Sequence, residues 1–140
     1  MILDFILLFC WIIYCLTQAT RDANFYHYKN LSPNPDKSNL HWLFSVERFI
    51  ILSLIFIIYY HVHSVINTTL FISGLVLIFS FFHNGKYYTE RNRLDSSIYK
   101  ERFWADSLTS TAKLEFNVHT RIILFAIGIV SIMTSFITFS

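Results

Sequence analysis

The sequence predicts an all-α integral membrane protein, a bundle of four transmembrane helices with an amphipathic helix lying at the interface between the third and fourth. Composition is the first ground for this. The chain of 140 residues is 54% hydrophobic and 14% charged, with a mean hydropathy of +0.48, whereas about a quarter of the residues of a soluble domain are charged. Charge distribution is the second. All 11 Lys and Arg residues fall between Arg21 and Arg48 or between Lys86 and Arg121, and of the 9 acidic residues Asp4 alone lies outside those two segments. A soluble surface needs its charges dispersed. The third ground is length: four apolar stretches approach the roughly 20 residues needed to cross about 30 Å of hydrocarbon.

Residues 1–18 form the first expected span, with Asp4 near one end. The stretch resembles a signal peptide in position but lacks a basic start and an A-x-A cleavage pattern, so it is expected to stay in the mature protein. Cys10 and Cys15 lie five positions apart, on different faces of a helix, and read as apolar packing residues.

The segment 19–45 is expected to be a loop. It carries both prolines, in Ser32-Pro33-Asn34-Pro35-Asp36, a composition that breaks helices and makes turns. Phe25, Tyr26, Tyr28 and Trp42 flank it as aromatic interface anchors. The second and third spans, 46–64 and 68–86, leave only about Val65 to Asn67 between them, a tight helical hairpin.

A second loop is expected over 87–119, and part of it is patterned as a helix. No Gly or Pro occurs from Thr89 to Leu108, and Leu94, Ile98, Phe103 and Trp104 oppose Glu90, Arg91, Arg93 and Lys100. Such a stripe suits a helix on the inner leaflet, with Trp42, Trp104, Tyr87 and Tyr88 at the interface. Residues 120–139 complete the fourth span, and the chain is a single domain.

The positive-inside rule puts both basic loops on the cytoplasmic side, or the matrix side of an organelle, and both termini outside. A bacterial inner membrane or an organellar inner membrane is the expected location.

Small and polar residues recur at helical spacing within the spans: Gly128, Ser131, Ser135 and Thr138 in the fourth, Ser73 and Ser80 in the third. They are read as helix-packing positions, since small residues let backbones approach. A pore lining is the sharper alternative, but no ring-forming charge lies deep in a span. With three glycines in the chain, a broken-helix transporter is not expected.

Polar residues gather at the cytoplasmic helix ends: Arg21, Asp22, Glu47, Arg48 and Arg121, with His83 and His119. Anchoring to headgroups and helix dipoles explains most of them. His27, His41, His83 and His119 form the candidate metal set, because imidazole is a common transition-metal donor. His61 and His63 point about 200° apart on a helix and cannot share an ion unless the helix ends there. HExxH and CxxC are absent, and the dense histidine boxes of membrane hydroxylases are missing. No cofactor is expected, although a bound lipid is compatible with the composition. Ser110-x-x-Lys113 reads as chance, and the sequon at Asn67 lies too close to the membrane surface for glycosylation. A net charge of +2 with interspersed acids points to lipid rather than nucleic acid as the counter-charge.

Two functions fit. One is a structural or interaction subunit that forms homo-oligomers or joins other membrane subunits, and can make a pore as an oligomer. The other is a membrane enzyme acting on a lipid or amphiphile at the cytoplasmic face through His83, His119, Glu47 and Glu115.

Overall fold

A computed structural model describes residues 2–31, 41–100, 102–104 and 116–137, with backbone alone at positions 30 and 41. It is all-helical there: α1 spans Ile2–Leu31, α2 His41–Tyr60, α3 Val65–Leu94 and α4 Val118–Ile137. All four are long and apolar enough to cross a membrane, the make-up of a multi-pass membrane protein. Successive helices run in opposite directions. One end of the bundle, the hairpin end, holds the start of α1, the α2–α3 turn and the end of α4; the other, the basic end, holds the clustered cations.

The third helix is the centre of the bundle. It packs against α1 and α4 along their lengths and touches α2 more sparsely. The share of its apolar window that is buried, 39%, against 11% for α2, says which helix the others are built on. Its neighbours meet it along seams that can be read from their spacing. On α1, Asp4, Leu7, Trp11, Cys15, Gln18 and Asp22 are buried, steps of three and four that keep them on one face. On α4 the buried set is Arg121, Gly128, Ile132 and Ser135, the same rule over longer intervals.

Between these seams lies one apolar cluster built from Leu7, Trp11, Cys15, Ile55, Tyr59, Phe71, Leu75, Ile78 and Ile132. Trp11 buries its ring and donates its Nε1–H to the Leu75 carbonyl at 2.8 Å, so its one polar group is not stranded. The α3–α4 contact is closest at Gly74 and Gly128. A Cβ on Gly74 would stand 2.5 Å from Ile132 Cγ1, and one on Gly128 would stand 2.6 Å from Ile78 Cγ2. Only hydrogen fits at either position. One turn away, Ser131 Oγ donates to the Leu70 carbonyl at 2.8 Å. Several other hydroxyls bond back into their own helix, as Thr17 does to Ile13 and Thr69 to Val65, which satisfies them without water.

Several helix bounds differ from the sequence reading. The expected loop 19–45 is helical as far as Leu31 and again from His41. Nothing in Ala19–Leu31 breaks a helix, since that stretch holds neither Pro nor Gly. The prolines themselves lie outside the described residues. The hairpin turn comes earlier than Val65–Asn67: α2 ends at Tyr60, and Ser64 caps α3 by accepting the Asn67 N–H. Asn67 thus sits buried in the first turn of α3, a second reason against modification there.

Among the described residues no interfacial helix is formed over Thr89–Leu108. Its first residues finish α3, which ends at Leu94 with Asp95 as cap. The Asp95 carboxylate accepts the Ser97 and Ile98 N–H groups, a local alternative to helical bonding that turns the chain. Asn92 Nδ2 then donates to the Tyr99 carbonyl at 2.7 Å and ties the turn back to α3. Residues 102–104 are not helical either, and 101 and 105–108 fall outside the described residues.

Candidate functional site

Each end of the bundle joins a buried aspartate of α1 to a histidine of the α2–α3 hairpin. Asp4 and Asp22 lie on one face of α1, about 27 Å apart at ~1.5 Å per residue and ~3.6 residues per turn. That separation matches the ~30 Å of a bilayer's hydrocarbon. Their side chains point at α3 and the hairpin because they continue the seam that Leu7, Trp11, Cys15 and Gln18 define.

At the hairpin end, His63 Nε2 lies 2.8 Å from Asp4 Oδ1. The His63 ring stacks on Tyr59 at 4.1 Å, and Tyr59 stacks on Phe71 at 4.2 Å. Tyr59 Oη is 3.5 Å from Ser135 Oγ, so one chain of contacts links α1, the turn, α2, α3 and α4. His61 is exposed.

The basic end holds the larger constellation. Asp22 Oδ2 lies 3.2 Å from His83 Nε2 and 3.6 Å from Arg48 Nη2, and Arg21 Nη2 reaches Asp22 Oδ1 at 3.4 Å. Arg48 Nε donates to Gln18 Oε1 at 2.9 Å, and its guanidinium covers the Phe79 ring at 4.5 Å. Arg21 also binds Glu47 with both terminal nitrogens, at 3.1 and 2.7 Å. Three helices are cross-linked here by side chains alone. His83 is held on both sides, since its Nδ1 lies 3.2 Å from Asn84 Oδ1 and its ring stacks on Phe79 at 4.7 Å. An oxygen therefore faces each ring nitrogen.

Of the helix-end residues singled out from sequence, Arg21, Asp22, Glu47 and Arg48 converge, together with His83. Arg121 does not join them. It is buried on α4, donates from Nη2 to the Phe103 carbonyl at 2.9 Å, and lies 5.5 Å from the Tyr88 ring centre. His119 is exposed on the same helix. His27 is buried beside Tyr99, 5.9 Å between ring centres, and the side chain of His41 lies outside the described residues, as does Glu115. Among the described residues no three His, Cys, Asp or Glu side chains gather as a metal site would need.

The packing positions separate in the same way. Gly128, Ser131 and Ser135 face α3 or the core within the chain, Ser80 is buried, and Ser73 is exposed. Thr138 lies outside the described residues. Of the four interfacial aromatics, Trp42 and Trp104 are well exposed. Tyr88 is buried, while Tyr87 is sandwiched between His83 at 6.2 Å and the Arg91 guanidinium at 5.3 Å.

Beyond His83 the two longest helices continue side by side. Both α1 and α3 have 30 residues, about 45 Å at 1.5 Å each, so they outrun the hydrocarbon at the basic end. Their acids turn inward there and Arg21 and Arg93 turn outward, while Arg91 is buried against the Tyr99 ring. Asp22 and Glu90 are 3% and 4% exposed, whereas the side chains of Arg21 and Arg93 are 48% and 66% exposed, and Lys100 and Arg102 are exposed as well. Glu90 is held by Lys86 and Arg93 one turn to either side. Just past the helix, hydrogen bonds from the Ser97 hydroxyl and amide hold the Asp95 carboxyl below its ordinary 3.8. The loop that follows is strapped to α3 by Phe103, whose ring covers Gly85 so closely that a Cβ there would be 2.5 Å from it.

Sequence reasoning gathered Asp22 and His83 in one helix-end cluster without pairing them, and it missed the Asp4–His63 pair. Asp4 as the one charge inside a span was the available signal, since an ionisable group at such a depth needs a partner. Comparison with known proteins gives no further guide: no family model, no curated protein and no solved structure matches the chain.

Proposed function

We propose that this is an interaction subunit of a membrane assembly, with both termini outside and the basic end in the cytoplasm or its organellar equivalent. Segregation of cations to that end supports the orientation, by the positive-inside rule. One observation carries the functional reading. Past the apolar slab the α1–α3 pair buries Asp22 and Glu90 and also Arg91, and it presents Arg21 and Arg93 outward, a surface suited to an acidic partner at the membrane.

Joining another subunit is better supported than self-association through the fourth helix. The stripe of Gly128, Ser131 and Ser135 is already occupied by contacts within the chain. Purification in mild detergent with mass analysis of the particle tests the reading. A partner subunit that co-purifies, and is lost when Arg93, Lys100 and Arg102 are each changed to Glu, is the expected result. A particle of one bare chain, indifferent to those changes, would overturn it.

A second reading, an enzyme acting on a lipid or amphiphile at the same end, draws support from the Asp22–His83 pair. A carboxylate that orients an imidazole is a familiar arrangement for proton transfer. Against it, both ring nitrogens are engaged, which leaves the ring no free position toward a substrate.

A further inference from the structure

Past the end of α3 the described chain runs as a strap whose side chains alternate. Tyr99 is buried under the Arg91 guanidinium, 3.9 Å from its ring centre. Phe103 is set over Gly85, and its carbonyl accepts from Arg121 at 2.9 Å. Ile98, Lys100, Arg102 and Trp104 are exposed. Alternation of this kind belongs to extended chain, in which successive side chains point to opposite sides. The two inward aromatics pin the strap, and the outward side carries Lys100, Arg102 and Trp104. Glu101, the acid between the two cations in sequence, lies outside the described residues.

The bundle fixes the depth of that outward side. Measured from Val65 at ~1.5 Å per residue, about 30 Å of hydrocarbon ends near Gly85, close to the level at which His83 meets Asp22. Phe103 sits at that boundary. Trp104 lies deeper, 5.7 Å from the ring of Phe81, yet 62% of its surface is exposed. An indole with an open face at this depth meets lipid, in the zone where tryptophan is enriched. Tyr99 is pinned by Arg91, about 9 Å beyond Gly85 along α3. Lys100 and Arg102 therefore stand between the end of the hydrocarbon and that height, in the layer that holds the lipid phosphates.

Charge and depth together select the ligand. Lys and Arg at the surface attract anionic lipid, and a guanidinium can bind two phosphate oxygens at once. An acidic protein segment in water could reach the cations, but it would leave the indole below the phosphates uncovered. A phospholipid satisfies both, since its acyl chain continues downward from its phosphate.

We infer that the strap 98–104 binds the headgroup of an anionic phospholipid, with Lys100 and Arg102 on the phosphate and Trp104 against the upper part of the acyl chain. The inference needs the helices to span a bilayer and is independent of any protein partner.

The test is tryptophan quenching by brominated lipid, on the full chain carrying Trp42→Phe in vesicles of phosphatidylcholine and phosphatidylglycerol in equal parts. Trp104 is then the exposed reporter, because Trp11 is 1% exposed inside the bundle. Bromine on the acyl chains of the phosphatidylglycerol is expected to quench several-fold more than the same amount on the phosphatidylcholine. Lys100→Gln with Arg102→Gln should abolish that difference while both lipids still quench, since the two side chains are exposed and the fold does not rest on them. Lys29→Gln with Arg93→Gln removes the same charge elsewhere at the basic end and should leave the difference in place. Equal quenching by the two lipids in the parent would overturn the inference. So would a difference that survives the first pair of changes or disappears with the second, which is the signature of diffuse surface charge. Absence of quenching by either lipid would overturn it as well, by placing Trp104 outside the bilayer. A chain that co-purifies with no partner leaves this result standing, and a missing lipid preference leaves the co-purification test standing, so the two readings fail separately.

Discussion

A β-carbon on Gly74 would stand 2.8 Å from the carbonyl oxygen of Gly128, and one on Gly128 would stand 2.9 Å from that of Gly74. The two backbones touch, and neither obstacle is a side chain able to swing away. Gly74→Leu or Gly128→Leu must therefore separate α3 from α4. Each is expected to cost at least the 1–3 kcal/mol typical of overpacking, read as an earlier transition in denaturant with membrane insertion retained. A Gly128→Leu chain as stable as the parent would show that the helices do not meet at these residues.

The cluster at the basic end makes a prediction about coupling. Asp22→Ala leaves Arg48 and His83 without their shared acceptor, and is expected to cost about 1–3 kcal/mol, the penalty for stranding buried polar groups. His83→Ala should cost less, because Asp22 keeps Arg48 and Arg21. In a double-mutant cycle the pair should couple by about 0.5–3 kcal/mol. Strict additivity would mean that the two side chains act independently.

Phe103 over Gly85 gives a change that is local. The ring atoms a Cβ would meet belong to the far end of a side chain, so Gly85→Ala should displace Phe103 and leave the helices standing. Tryptic cleavage after Arg102 in the folded protein is the readout, and the rate should rise. Phe103→Ala should do the same. Unaltered cleavage in both variants would show that the loop is held by other contacts, the Arg121 bond to the Phe103 carbonyl first among them.

The Asp95 turn should respond to acid in one direction. Its carboxyl is held below the ordinary 3.8 by Ser97 and Ile98, so the folded turn favours the ionised form. The stabilisation it gives is complete above the unfolded value and is lost as pH falls through the lowered folded one. Amide resonances of Ser97 and Ile98 should stay constant from about pH 6 to 4, near the ordinary carboxylate range, and shift only below it. A midpoint at or above 3.8 would contradict the hydrogen bonds seen here.

Much of the architecture could be read from the chain because a bilayer makes unusually simple demands. Hydropathy and length alone mark where backbone must be helical, since no other open structure satisfies its polar groups in hydrocarbon. Bounds were harder. Proline at 33 locates the end of α1 only within a range, because helices persist into water once begun, and the stretch from Ala19 to Leu31 contains nothing to stop one. The turn at Asp95 was hidden for a different reason. Its residues match a helical stripe, and the competing bond from an aspartate to amides two and three residues on is a local choice that periodicity does not report.

The site was legible in its parts and not in its pairings. Arg21, Asp22, Glu47 and Arg48 follow from their place at helix ends, and the sequence alone determined that four apolar helices carry them with the cations confined to two segments. Only the tertiary structure decided that Asp22 meets His83 while Arg121 goes to Phe103, that Asp4 meets His63, and that Gly128 packs on Gly74 within one chain. Helix formation depends on contacts four residues apart, which sequence displays. Which faces meet depends on the relative rotation and offset of separate helices, set by the fit of residues some sixty positions apart, and no local pattern records that fit.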